Sequence, residues 1–149
     1  MTLSFQDLSW HTISGSWRGK IDFHGQFLPV SIDFDTDEEK EMEHDGAKKA
    51  AAKLLIRLTP EWESISRMKA AELLLTDYYS QSSHKVAQEE IEQLYEDMTM
   101  VSINFCHGVL DKVVTGVFLY FAPKFFPDMK LQINFLDDLT IDEVMAYDV

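Results

Sequence analysis

The chain has 149 residues, 46% of them hydrophobic and 12% aromatic, so it can fold as one domain without structural metal or disulfides. Its 13 Lys and Arg residues oppose 26 Asp and Glu residues, and the resulting formal charge of -13 disfavours nucleic acid and anionic membranes as partners. A basic protein is the partner that such a charge favours.

Two strands are predicted after a lead-in segment at residues 1–10. Apolar residues alternate with polar ones from Ile13 to Phe23 and again from Leu28 to Phe34, and Gly25 lies between the two runs. This pattern predicts a hairpin. Pro29 cannot donate a hydrogen bond to a neighbouring strand, which places the second strand at an edge or the proline near that strand's start.

Residues 35–46 are predicted to form an acidic loop. Asp33, Asp35 and Asp37 have the spacing of the first ligands in a calcium-binding loop. The sixth position, however, carries Glu38 where such a loop requires glycine, and the twelfth carries His44 where it requires glutamate. The sequence therefore favours a solvated acidic surface over a calcium site.

Three helices are predicted next. Ala47 to Leu58 is rich in helix-forming residues, and Thr59-Pro60 supplies a cap and a first-turn proline for a second helix. A third helix is predicted over Val86 to Tyr95, with Ala87, Ile91 and Leu94 facing inward. The inward stripe expected for the second helix consists of Trp62, Ile65, Met68, Ala71, Leu75 and Tyr78.

The last third of the chain is predicted to return to strands, around Val101–Phe105, Val117–Phe121 and Leu131–Phe135, with a short strand or tail near Val144–Tyr147. The run from Val117 to Phe121 has no polar interruption, which favours a central strand. The predicted fold is therefore one α+β domain over residues 1–149. Its mainly antiparallel sheet of about five strands, in the order ββαααβββ, packs on two to three helices.

No pattern in the sequence indicates an enzyme, a cofactor or a metal. The histidines have no metal-ligand spacing, and neighbouring Cys106 and His107 would point to opposite faces of a strand. No phosphate-binding glycine loop or nucleophile motif is present. Cys106 is also the only cysteine, so no internal disulfide can form. Because no apolar run has the length of a signal sequence or a membrane span, we expect a cytoplasmic protein.

Four short patterns occur in order along the chain: Trp17-x-Gly19-Lys20-Ile21-x-Phe23, Ala70-Ala71-Glu72-Leu73-Leu74, Val101-Ser102-Ile103-x-Phe105 and Leu119-Tyr120-Phe121. Together they resemble a group of small bacterial α+β domains that includes immunity proteins of polymorphic and contact-dependent toxin systems. The similarity covers most of the chain, from about Trp17 to Phe135. One departure is Phe126-Pro127-Asp128, which stands where that group has a glycine–histidine pair, so no function tied to that histidine is carried over.

The resemblance implies an immunity protein that binds and neutralises a cognate toxin without catalysis. Many such toxins are basic nucleases, and carboxylates of an inhibitor can occupy the place of the phosphates of the nucleic acid. Two acidic clusters are the candidate partner-binding residues, although either could serve only to keep the protein soluble. The first consists of Asp35, Asp37, Glu38, Glu39, Glu41 and Glu43. The second consists of Glu89, Glu90, Glu92 and Glu96.

An alternative hypothesis is an acidic chaperone or adaptor that holds a secreted protein. Apolar surface around Phe118, Tyr120, Phe125 and Phe126 would suit that role. The two hypotheses differ in the partner, because a chaperone binds an extended segment whereas an immunity protein binds a folded toxin domain. Either a monomer or a homodimer is compatible with the sequence.

Overall fold

A computed structural model of the chain describes residues 8–11, 15–34, 44–108 and 113–149. These described residues form three helices and seven strands. In chain order these elements are β1 (Ser9–His11), β2 (Ser16–Phe23), β3 (Gln26–Phe34), α1 (His44–Arg57), α2 (Pro60–Tyr78), α3 (Gln88–Asp97), β4 (Thr99–His107), β5 (Val114–Ala122), β6 (Phe126–Phe135) and β7 (Ile141–Asp148). The α+β class is confirmed, but the prediction of about five strands was too low.

The seven strands form a single sheet in the order β1-β2-β3-β4-β5-β6-β7. All neighbouring strands are antiparallel except β3 and β4, which are parallel because the three helices connect the end of β3 to the start of β4. In the described part of the chain, α1 packs on β3 and β5, α2 on β6 and β7, and α3 on α2 and β5.

The β2–β3 hairpin turns through His24 and Gly25. Both residues have positive φ angles, 51° and 94°, as a two-residue turn between right-twisted strands requires. Asp22 Oδ1 accepts a 2.9 Å hydrogen bond from the Gly25 N–H. Pro29 lies three residues from the start of β3, and the pairing of β3 with β4 begins only at Val30. Its missing N–H is thus tolerated by its place near the strand's start, and not by an edge position.

The helix-facing side of β5 lies in the core. Phe118 and Tyr120 are fully buried there, whereas Phe121, which belongs to the opposite side, is 38% exposed. On the buried side Gly116 stands between Phe105 and Phe135 of the neighbouring strands. A side chain on Gly116 would overlap the Phe135 ring, so the glycine makes room for that aromatic. The ring of Phe135 also packs against Trp62 of α2, with 5.0 Å between ring centroids.

The orientation of α2 corrects the expected inward stripe. Ile65 and Tyr78 are 69% and 66% exposed, and Ser66 lies inward instead. The small Ser66 side chain lets the helix approach the sheet, and its hydroxyl donates to the Glu63 carbonyl, so burial leaves no unpaired donor. The predicted start of α2 is confirmed, because Thr59 Oγ1 accepts the Trp62 N–H at 3.1 Å. The inward residues of α2 are Ser66, Ala70, Ala71, Leu74 and Leu75.

Three further predictions need correction or lie outside the described residues. Ala87 is not inward but occupies the exposed cap position before α3. The apolar surface expected around Phe118, Tyr120 and Phe126 is not available, because those side chains are buried in the core. Residues 35–43 of the acidic loop are outside the described ranges, and helix α1 already begins at His44, within the span assigned to that loop.

Candidate functional site

Of the two acidic clusters predicted from sequence, only the second lies within the described residues. Asp35, Asp37, Glu38, Glu39, Glu41 and Glu43 all fall in residues 35–43, outside the described ranges. The second cluster lies on α3, where Glu89, Glu92 and Glu96 are exposed. Their spacing of three and four residues places them on one side of the helix, opposite the buried Ile91 and Leu94. We call Glu89, Glu92 and Glu96 the acidic ridge.

The acidic ridge carries charge that is not neutralised locally. Among the described residues, no Lys or Arg side chain forms an ion pair with Glu89, Glu92 or Glu96. Within the described ranges, the ridge has one side-chain hydrogen bond, of 3.5 Å, from Gln93 to Glu89. A surface of three adjacent carboxylates without counter-charges attracts cations and basic surfaces over several ångströms.

Glu90 does not belong to the ridge, although the sequence grouped it there. Its carboxylate accepts the Ala87 N–H at 3.1 Å and lies 2.9 Å from His84 Nε2. The backbone hydrogen bond from Ala87, aided by His84, holds the pKa of Glu90 below its ordinary value. Glu90, the third residue of α3, therefore caps the backbone N–H of Ala87 at the start of the helix, a structural role that supports the ridge.

A cleft of about 500 Å³ borders the C-terminal end of the ridge. Three separate parts of the chain form its walls: the β2–β3 hairpin, the first turns of α2 and the junction of α3 with β4. We call it the hairpin cleft. It is lined by Phe23, His24, Gln26, Pro60, Glu63, Ser64, Arg67, Glu96, Met98, Thr99 and Met100.

An ion pair with two tyrosines lies at the base of the hairpin cleft. Glu63 and Arg67 are one helical turn apart, their side chains are 13% and 23% exposed, and Arg67 Nε lies 3.2 Å from Glu63 Oε1. Tyr120 Oη donates a 2.7 Å hydrogen bond to the same oxygen. The Arg67 guanidinium stacks over the ring of Tyr95 and donates to its hydroxyl at 3.1 Å. The Glu63 carboxylate thus interacts with both a cation, Arg67, and a neutral hydrogen-bond donor, Tyr120.

Burial fixes the protonation state of Tyr120. Removal from water raises the pKa of its hydroxyl well above the ordinary value, and the adjacent Glu63 carboxylate raises it further. Tyr120 therefore stays neutral and acts as a hydrogen-bond donor to Glu63. Ser64 Oγ and Tyr95 Oη share a 2.5 Å hydrogen bond, which extends the network toward the cleft.

A second cleft of about 500 Å³, lined by Gln93, Glu96, Asp97, Thr99, Pro123, Lys124 and Phe125, lies on the other flank of α3. Asp97 Oδ2 accepts the N–H groups of Lys124 and Phe125, at 2.8 and 3.2 Å, and so fastens the β5–β6 turn beside the helix. Glu96 and Thr99 line both clefts. The end of the acidic ridge is therefore a convex edge between two concave surfaces.

The described residues contain no group of three or more His, Cys, Asp or Glu side chains that could hold a metal ion. Cys106 and His107 do point to opposite faces of β4, with His107 2% exposed beside Phe34 and Cys106 half-buried on the other side. None of the described helices is long and apolar enough to cross a membrane.

Sequence reasoning missed the Glu63–Arg67–Tyr120 network. The sequence pattern around Tyr120 predicts only an apolar strand and apolar surface, and Glu63 and Arg67 lie among inward-facing residues of a helix whose pattern predicts only an apolar stripe. A Glu and an Arg four residues apart beside that stripe was the available signal. Comparison of the chain with known proteins finds no matching family model, no matching curated sequence and no matching solved structure.

Proposed function

We propose that this protein binds and neutralises a cognate basic toxin domain, as an immunity protein does, and that the acidic ridge is the centre of the contact. The observation that carries the proposal is the ridge itself, three exposed carboxylates of α3 without a described counter-charge. Binding of a basic partner would supply the missing charges. No catalytic step on the toxin is required, since occlusion of its active site suffices.

The shape around the ridge supports a protein partner of this kind. A convex helix edge between two clefts can insert into a concave active site while the clefts receive side chains from its rim. The overall charge of -13 adds long-range attraction, which speeds the capture of a basic toxin before it acts. The first acidic cluster remains a predicted second part of the same interface.

The proposal is tested by co-expression with the protein encoded beside this chain's gene. A variant with Glu89→Gln, Glu92→Gln and Glu96→Gln removes the ridge charge, and one with Glu61→Gln, Glu72→Gln and Glu143→Gln removes equal charge elsewhere on α2 and β7. We expect the neighbour alone to arrest growth, the wild-type chain and the control variant to restore it, and the ridge variant to fail. Equal protection by both variants would remove the ridge from the interface.

A second candidate function, a chaperone or adaptor for a secreted protein, is favoured by the sheet face away from the helices. Val117 and Leu119 are half-buried there and Phe121 is exposed, and no described helix covers them. An extended segment of a client could lie along this apolar strip. Limited proteolysis of the bound partner separates the two functions, because a folded toxin domain resists cleavage whereas a chaperone client is cut along its length.

A further inference from the structure

We infer that the hairpin cleft is a binding pocket for a guanidinium group, supplied by an arginine side chain of the partner protein. The inference deepens the proposed function and rests on it for the nature of the partner. The chemistry of the pocket follows from the residues of the cleft alone.

Two hydrogen-bond acceptors of the cleft lining have no donor among the described residues. The Gln26 amide nitrogen donates to the Met100 carbonyl at 2.9 Å, so its amide oxygen is left as one acceptor. The carboxylate of Glu96 is the other. His24 Nε2 lies 2.7 Å from the carbonyl oxygen of Leu58, so this ring nitrogen is engaged within the hairpin wall.

A guanidinium group has donors that match these acceptors, and it spreads them over a plane, whereas the three donors of an ammonium group share one nitrogen. The guanidinium carries five N–H donors in a plane and no acceptor, whereas a carboxylate or phosphate ligand would bring further acceptors into an acceptor-rich cleft. A group that can donate in several directions at once satisfies acceptors on different walls. Here those walls are the hairpin and the end of α3, which bear Gln26 and Glu96.

The charge balance of the cleft points to the same ligand. Glu63 and Arg67 form an ion pair and so largely cancel, and Glu63 also accepts from Tyr120. Glu96 has no described Lys or Arg partner, which leaves one carboxylate of the lining without a fixed counter-charge. Removing such a carboxylate from water on complex formation is favourable only if a cation comes with it.

The rest of the lining suits the stem of an arginine side chain. Phe23, Met98 and Met100 contribute apolar wall, and a volume of about 500 Å³ is ample for a single side chain. Arginine buries its methylene groups against apolar surface while its charged end reaches polar groups. A central arginine in a pocket is also a common source of binding energy at protein interfaces.

The test uses the full chain and a blocked tripeptide, glycine-arginine-glycine, followed by two-dimensional NMR of the backbone amides. The matched peptide carries citrulline, which has nearly the same shape without the positive charge. Two variants are compared: Glu96→Gln alters the cleft, and Glu92→Gln makes the same change on the same helix face outside the cleft. Both residues are exposed, so neither variant threatens folding.

We expect saturable shifts at Gly25, Gln26 and Thr99 with the arginine peptide and no saturable shifts with the citrulline peptide. Glu96→Gln should lower the affinity for the arginine peptide about tenfold, as loss of one charge-assisted hydrogen-bonding partner does. Glu92→Gln should lower it by less than about twofold. Equal binding of the two peptides, or equal effects of the two variants, would overturn the inference. Saturable binding of agmatine without binding of the tripeptide would also overturn it, because the source would then be a free guanidinium compound.

Failure of this inference and failure of the proposed function give different results. The titration needs no toxin, so a chain that protects against its neighbour but does not bind the arginine peptide contradicts the pocket alone. A chain that binds the peptide through Glu96 but gives no protection contradicts the immunity function and leaves the guanidinium pocket standing.

Discussion

The hydroxyl of Tyr120 donates a 2.7 Å hydrogen bond to Glu63, and this contact ties the buried side of β5 to the first turns of α2. Both groups depend on the arrangement. The phenol is fully buried and needs an acceptor, and the largely buried Glu63 carboxylate needs more than the Arg67 ion pair to offset its loss of water. The contact therefore fixes the base of the hairpin cleft and the position of α2 on the sheet.

Replacement of Tyr120 by Phe should destabilise the fold by about 1–3 kcal/mol, because it leaves a buried charged acceptor without its neutral donor while the ring still fills the core. Urea denaturation at neutral pH measures the loss. Phe118→Tyr would be a poor comparison, since it adds a hydroxyl to the core. Tyr147→Phe, at an exposed tyrosine of β7, is the matched control and should change the unfolding free energy by less than about 0.5 kcal/mol.

The hydrogen bond between Tyr120 and Glu63 also predicts how the stability of the fold depends on pH. The pKa of Tyr120 is raised in the folded protein above its ordinary value of 10.0, so the unfolded chain loses that proton first as the pH rises. The stabilisation from Tyr120 is complete below about pH 10 and declines above it. The difference in unfolding free energy between wild type and Tyr120→Phe should therefore narrow from pH 9 to pH 11. A constant difference over that range would contradict the raised pKa.

The close approach of Gly116 to the ring of Phe135 leads to a prediction that depends on steric overlap alone. Because a side chain at position 116 would overlap the Phe135 ring, Gly116→Ala should destabilise the protein by about 1–3 kcal/mol through overpacking. Gly46 in α1 has open space around it, and Gly46→Ala should instead stabilise by up to about 1 kcal/mol through helix propensity. Thermal unfolding of the two variants checks both signs. Similar effects at the two positions would refute the packing described for Gly116.

Glu90 and Glu89 are neighbours with different expected roles. Glu90→Gln should lower the stability of α3 more than Glu89→Gln, because only Glu90 accepts the Ala87 N–H and contacts His84. Since the pKa of Glu90 is lowered, its contribution is present above its ordinary value of 4.5 and is lost as the pH falls below that value. Hydrogen exchange of the α3 amides at pH 6 and pH 3.5 measures the stability of the helix in the two variants. If the difference in exchange between Glu90→Gln and Glu89→Gln were as large at pH 3.5 as at pH 6, the capping role would be contradicted.

The helices were foreseen because their signals are local. Helix-forming residues and the Thr59-Pro60 pair located α1 and α2 within a few residues. The strand count was missed because β1 has only three residues and β7 mixes acidic and apolar side chains without clear alternation. The rotation of α2 was missed because burial of Ser66 depends on the sheet beneath it, which the helix sequence alone does not encode.

The candidate site also has a part that the sequence could predict and a part that it could not. Glu89, Glu92 and Glu96 could be predicted because helical spacing alone puts them on one face. The hairpin cleft could not, since its walls come from residues 23–26, 60–67 and 96–100, which only the crossover between the parallel strands β3 and β4 brings together. The separate role of Glu90 likewise depends on the approach of His84 and the Ala87 N–H.

The central claim is that the acidic ridge binds a basic toxin, and the affinity of the purified complex tests it most directly. Calorimetry with the protein encoded beside this gene, in inactive form, compares wild type, the Glu89/Glu92/Glu96 glutamine variant and the Glu61/Glu72/Glu143 glutamine variant at two salt concentrations. We predict a loss of about tenfold to a hundredfold in affinity for the ridge variant, with weaker salt dependence, and a near-wild-type value for the control. Equal affinities for the two variants would contradict the account.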